Sequence, residues 1–278
     1  MFKQTVDLII KVRGMKVKEV ETEKGKFKIL ETKGTIQPNN FMVTVSKLIN
    51  VGKEIHPFIQ QKIEEFEELS ERFNTQDEGE ALYVRSRFKP RPDKNDKKKF
   101  VQFDKISTDV LEDGREFTKI NAWVEELKTE TDKDGEDLIV FEFADGNNKK
   151  VPLSEINASI EATMIVIGYN PETGRIELTS GGQYPTELVA YASTSAKGTP
   201  KVGQGYSFLM AFEKGKRISA TDAIEEDLSW GEEREVSSKG SFEPDKIVVL
   251  KVGSAKGYFL EGLNEQGDSM DDLLKGLV

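Results

Sequence analysis

The chain has 278 residues, 32% of them charged and 36% hydrophobic, with a formal net charge of -10, no cysteine and one histidine. Without cysteine there is no disulfide, thiol nucleophile or thiolate metal site, and His56 alone cannot build a His/Cys zinc cluster. No apolar run reaches the ~18 residues of a membrane span, the start MFKQTVDLIIKV lacks the apolar core of a secretory signal, and the acidic balance argues against indiscriminate polyanion binding.

Roughly two domains are expected for this length. Residues 1–80 read as a β-rich segment that ends in a helix. The β-branched alternation of TVDLIIKVRGMKVKEVETEKGKFKILETKGTI is broken by Gly-centred turns such as Glu23-Lys24-Gly25, and FMVTVSKLI (41–49) is a further strand. PFIQQKIEEFEELSERF predicts one prominent amphipathic helix over 57–73. Pro57 suits its first turn. Ile59, Ile63, Phe66, Leu69 and Phe73 form one apolar stripe, while Glu64, Glu65, Glu67, Glu68 and Glu71 face solvent. His56, just before the helix, reads as a capping or surface residue.

Residues 81–100, ALYVRSRFKPRPDKNDKKKF, form a basic strand and loop. Eight residues between Tyr83 and Phe100 are Lys or Arg, against two acids, Asp93 and Asp96. YVRSRF alternates as a strand, with Tyr83, Arg85 and Arg87 on one face and Val84, Ser86 and Phe88 on the other. KPRPDKNDKKK has two prolines and no apolar side chain, so it reads as a loop.

Residues 101–190 read as one barrel. Its strands are TKINAWVEELKTETD, EDLIVFEFADG, KKVPL, ATMIVIGY and RIELTSG, and its DKDG turn (132–135) places Gly where φ must be positive. Five short strands with one interval between the third and fourth suit a five-stranded Greek-key barrel of the OB type. The fold class expected is therefore mainly β (α+β). In INAWVEEL, Ile120, Ala122 and Val124 alternate as a core face. Trp123 then points outward, to be covered by another domain or by a base. Phe141 and Phe143 read as core. Tyr169 ends a strand beside the Pro171–Gly174 turn. Residues 191–204 read as a linker and 205–263 as a C-terminal β-rich domain. There, DKIVVLKVGSAKGYFLEGL (245–263) echoes ATMIVIGYNPETGRIELTSGG (162–182), which leaves a second OB-like barrel open. Residues 264–278 form an acidic-apolar tail.

No phosphate-binding loop, dinucleotide fingerprint or nucleophile elbow occurs. Asp132 and Asp134 could offer oxygen ligands to a cation, but Asp is equally a turn residue there. The expectation is a protein without catalysis, cofactor or metal. The basic stretch carries the functional signal. Lys and Arg neutralise phosphates and release counterions, and rings stack on unpaired bases. The nucleic-acid-binding set is Tyr83, Arg85, Arg87, Phe88, Lys89, Arg91, Lys97, Lys98 and Lys99, joined by Trp123 and Tyr169. The other reading of the stretch is a charged loop between two domains.

INAWVEELKTETDKDGEDLIVFEFADGNNKKVPL resembles the opening half of an OB-fold. The chain is similar to phage or bacterial single-stranded DNA-binding proteins built from more than one such module. That resemblance implies non-enzymatic, largely sequence-independent binding of single-stranded DNA in replication or recombination, in the cytoplasm of a bacterial host if the protein is phage-encoded. It also implies that NEQGDSMDDLLKGLV recruits replication proteins through Asp268, Asp271, Asp272, Leu273 and Leu274. The terminal Pro-Phe of that family is missing and Lys275 interrupts the acidity, so a short helix packing on its own domain is the other reading of the tail. The rival of a different class is a β-rich phage structural or host-interaction protein that binds protein.

Overall fold

The computed structural model describes residues 4–75, 81–88, 91–92, 100–101, 104–112, 114–181, 185–193, 199–216 and 243–259. In chain order its elements are β1 (Gln4–Thr22), β2 (Gly25–Ile36), β3 (Phe41–Asn50), α1 (Pro57–Thr75), β4 (Tyr83–Phe88), β5 (Arg91–Pro92), β6 (Phe100–Val101), β7 (Lys105–Val110), β8 (Glu116–Asn121) and β9 (Val124–Glu126). They continue with β10 (Lys128–Thr131), β11 (Asp137–Glu142), β12 (Asn148–Pro152), β13 (Ser159–Asn170), β14 (Arg175–Thr179), β15 (Glu187–Ala192), β16 (Gln204–Glu213) and β17 (Lys246–Phe259). The fold is mainly β, with a single α-helix among the described residues.

Alternation and turn chemistry build the first unit. Gly25, at φ +125°, closes the tight turn from β1 to β2. β1 pairs antiparallel with β2, and β2 with β3. β3 then runs parallel to β8, the chain steps at Ala122-Trp123, and β9 pairs antiparallel with β4. β4 returns antiparallel to β1. With β8 and β9 taken as one interrupted strand, five strands close a circuit, and α1 connects the third to the fourth. Leu8, Ile10, Leu30, Val43, Val45 and Ile120 fill the interior. Ile63, Phe66 and Leu69 of α1 are buried in the same core, so the predicted stripe is the packed face. His56 starts the helix: its carbonyl accepts from Ile59 and Gln60, and its Nδ1 accepts from the Phe58 N–H at 3.2 Å.

β1 serves three neighbours in turn, β13 over Gln4–Asp7, β4 over Val6–Lys11 and β2 over Ile10–Thr22, and a bulge between Val12 and Gly14 bends it just beyond its pairing with β4. Gly34 faces that bend. A Cβ there would lie 2.4 Å from the Lys11 carbonyl oxygen, so only glycine fits.

A second circuit repeats the order. β13 pairs with β14, β14 with β15, β15 runs parallel to β17, β17 pairs with β16, and β16 returns to β13. Its first strand also carries a bulge, between Val166 and Gly168. The circuits join where Gln4–Asp7 of β1 pairs with Ser159–Ala162 of β13. The rings of Phe41 and Phe212 meet edge-on at 4.8 Å across the same junction. Between the circuits, β10, β11 and β12 form a separate three-stranded sheet. Gly135 sits at φ +84° in the predicted DKDG turn.

Residues 101–190 therefore do not make one barrel. β8 and β9 complete the circuit begun by β1 to β3, β10 to β12 stand apart, and β13 and β14 open the second circuit. Short amphipathic strands pair with whichever edge is free, and β3 leaves its edge for β8, some 70 residues along the chain. The expected C-terminal domain (205–263) contributes β16 and β17 as the last two strands of a circuit that starts at Ser159. The expected linker (191–204) overlaps the ends of β15 and β16 and connects strands within that circuit. Of the two rings expected in the core, Phe141 is half-buried against the smaller cluster around Ile139 and Phe143 is 53% exposed. The tail, 264–278, lies outside the described residues.

Candidate nucleic-acid interface

Tyr83 and Phe88 were expected to offer rings to bases, but both are buried, at 2% and 4% exposure. The alternation of YVRSRF holds, yet β11 and its neighbours cover the face that carries Tyr83 and Arg85. Tyr83 packs with Ile9, Ile139 and Ile156, and its hydroxyl donates to Asp137 Oδ2 at 2.8 Å. Burial first, then the Asp137 bond and charge, push the phenol well above its ordinary pKa. Phe88 lies in the main core. Arg85 donates through Nε and Nη2 to Asp7 at 2.8 and 2.6 Å, and its guanidinium sits 5.1 Å from the Phe141 ring centre. The Asp7 bond raises the Arg85 pKa, against the opposing effect of burial. Arg87 is exposed, 3.8 Å from Glu125.

Trp123 is half-buried against the main core, with Lys47 Nζ 5.5 Å from its ring centre, so its own barrel covers it. Tyr169 is half-buried on the same core, opposite Ile176. Arg91 is described by its backbone alone, paired with Val101 in the β5–β6 ladder. Lys89, Lys97, Lys98, Lys99, Asp268, Asp271, Asp272, Leu273 and Leu274 lie outside the described residues. The structure thus spends Tyr83, Arg85 and Phe88 on the fold. Asp132 likewise serves its turn, with Oδ1 accepting the Asp134 and Glu136 N–H groups at 2.9 and 2.8 Å. No group of three metal-ligating side chains occurs among the described residues.

A different surface gathers cations. Residues opposite one another in a ladder share a face, so the pairings place whole rows together. One row runs Lys16, Glu31, Ser46, Asn121, Lys105 from β1 to β7. The next runs Lys33, Thr44, Lys119, Ser107. On the other flank lie Lys18, Ile29, Leu48 and then Val20, Phe27, Asn50. Lys16, Lys18, Lys33, Lys105 and Lys119 are exposed, as is Leu48 at 59%. Phe27 and Ile29 are half-buried. Five lysines thus lie to one side of a short apolar strip on the same face, with two carboxylates, Glu31 and Asp109, among them.

Glu31 is ion-paired to both Lys16 and Lys18, at 3.2 and 3.1 Å. Burial raises its pKa, but hydrogen bonds and charge from the two lysines outweigh burial and hold the carboxyl below its ordinary value. Lys119 meets Asp109 at 3.4 Å. Asp104, which leads into β7, is ion-paired to Lys47 of β3. Asp104, sixteen residues beyond Phe88, thus lies beside β3. On another side of the barrel, a groove of about 460 Å³ between α1 and β9 is rimmed by Glu65, Glu68, Glu125 and Glu126, with Lys62 and Arg72. Four carboxylates face two cations on that rim.

The sequence signal for the lysine face was present but scattered. Lys16, Lys18 and Lys33 alternate with apolar residues on two strands, and only the ladder registers bring them to Lys105 and Lys119. Comparison with protein families, with curated proteins and with solved structures finds no match to this chain.

Proposed function

We propose that this is a non-enzymatic, largely sequence-independent single-stranded DNA-binding protein of replication or recombination, built on two Greek-key barrels of the OB type. Its strand track is the outer face of β1, β2, β3, β8 and β7. The five-strand order of both circuits supports the fold reading. OB barrels bind oligonucleotides on the face of their second and third strands and with the loops between strands one and two and between strands four and five. In the first circuit those strands are β2 and β3, and the connection from β4 to β8 contains the basic run.

The observation that carries the proposal is the group of five lysines beside Phe27, Ile29 and Leu48 on one open face. Phosphates would meet the lysines and release counterions, while unpaired bases cover the apolar strip as they do on other sequence-tolerant platforms. A duplex hides its base faces and loses the second contact. The acidic groove beside α1 keeps the polyanion off that side. Recruitment of replication proteins by the acidic tail is part of the same proposal.

The test is a fluorescence-anisotropy titration with oligo-dT and with duplex at several salt concentrations. If about five phosphates are neutralised, the log–log slope is about -3.5 for the single strand. K33Q/K105Q/K119Q should bind more weakly and make that slope shallower by about 2. Equal affinity for duplex, or affinity indifferent to salt, rejects the proposal and leaves the exposed Leu48 and Met42 as a protein-binding surface.

A further inference from the structure

Glu31 stands at the centre of the lysine rows, where a phosphate-binding face has least use for a carboxylate. Its surroundings differ from those of Asp109, the other acid on this face. Asp109 lies near the end of β7, about half exposed, and meets one lysine. The Glu31 side chain is 14% exposed and holds two lysines of the neighbouring strand, Lys16 at 3.2 Å and Lys18 at 3.1 Å. Lys16 is its direct cross-strand partner and Lys18 the diagonal one. The two ammonium groups are drawn toward one anionic point on the open face. A carboxylate and a phosphate oxygen make the same charge-assisted bond to an ammonium, so they compete for it.

We infer that Glu31 is a built-in competitor for the nucleic-acid phosphate, occupying Lys16 and Lys18 in the free protein and yielding them only as the strand seats. The inference rests on the single-strand reading of this face. It deepens that reading by dividing the lysines into two classes. Lys33, Lys105 and Lys119 meet the strand first. Lys16 and Lys18 join after the carboxylate is displaced, which limits affinity and speeds release. A protein that coats single strands yet must be cleared from them gains from such a limit.

The experiment compares wild type, E31Q, K16Q/K18Q and E31Q/K16Q/K18Q as full chains, titrated with oligo-dT at several salt concentrations. E31Q keeps the side-chain shape and removes the charge. It should bind roughly three- to tenfold more tightly, the gain expected for freeing two exposed lysines. Its salt slope should steepen by about 0.7 to 1.4, and its dissociation should slow. E31S, which removes the same charge with a smaller side chain, should behave alike, so a folding defect in one variant does not decide the result. In the K16Q/K18Q background the E31Q gain should vanish. If K16Q/K18Q weakens binding but E31Q binds no better than wild type, the competitor is refuted while the binding face stands. An E31Q gain of equal size without the two lysines would show a general field effect and also refutes it. If neither K16Q/K18Q nor K33Q/K105Q/K119Q alters binding, the face itself is wrong, and the inference falls with it.

Discussion

The two circuits share strand order, a parallel pairing of third and fifth strands, and a bulged first strand, yet they use the same face in opposite ways. In the first, the outer side of β2 and β3 is open and bordered by lysines. In the second, β14 and β15 are instead bonded to the β7–β8 hairpin of the first at Arg175, Val189 and Tyr191. Val189 N–H donates to Thr108 Oγ1 at 3.1 Å, and Tyr191 donates to Glu116 Oε2 at 3.1 Å. Arg175 adds two bonds to Glu116 Oε1, at 2.9 and 2.7 Å. The same scaffold thus leaves one face open and turns the other to holding the barrels together. Side-chain chemistry on the outer positions, not topology, decides which.

The largest difference expected between the circuits is in their tolerance at a glycine beside the bulge. At Gly34 a new Cβ meets backbone, the Lys11 oxygen at 2.4 Å, which cannot move without the strand. Gly34→Ala should cost about 1–3 kcal/mol, the range for overpacking. At Gly168 the nearest atom is Glu177 Oε2 at 2.7 Å, the end of a side chain that can swing away. Gly168→Ala should therefore cost less than its counterpart. Urea unfolding of both variants checks this, and equal losses would break the distinction.

Next in size is the contact between the barrels. Glu116→Gln weakens its bonds to Arg175 and Tyr191, and about 1.5 kcal/mol of stability should go with them, within the range for bonds to charged groups. Affinity for oligo-dT should not change, because the open face is untouched. A drop in binding without a drop in stability would mean that the ligand uses the second barrel.

The smallest effect concerns the three-stranded sheet on the first barrel's flank. Tyr83 has a folded pKa raised above its usual value of about 10 by burial and then by Asp137. Its stabilising contribution is complete below about pH 10 and is lost as pH rises from there toward and through the folded value. Tyr83→Phe should cost about 1 kcal/mol at neutral pH by losing one hydrogen bond. The variant should also lose less stability than wild type between pH 8 and 11. Parallel pH profiles of the melting temperature would contradict the assignment.

Much of this architecture is legible locally. The α1 stripe, the Gly135 turn and the alternation of YVRSRF follow from period and turn residues. What the sequence hides is long-range pairing. Nothing in INAWVEEL says that β8 pairs with β3, or that β11 will roof Tyr83. The burial of Tyr83 and the pairing of Arg85 are hidden for the same reason. Arg85 and Tyr83 are adjacent in sequence to a basic loop, so they look like its continuation, but Asp7 and Asp137 reach them from distant strands. The lysines of the open face are spread from Lys16 to Lys119 and become neighbours only through four ladders.

The most direct measurement of the central claim is photo-crosslinking of a bromodeoxyuridine-substituted oligo-dT, with the modified peptides located by mass spectrometry. The open face predicts crosslinks within residues 14–50, centred on Phe27, and within 105–121, with residues 175–192 unmodified. Crosslinks concentrated in 175–192, with none on β2 and β3, would contradict the account.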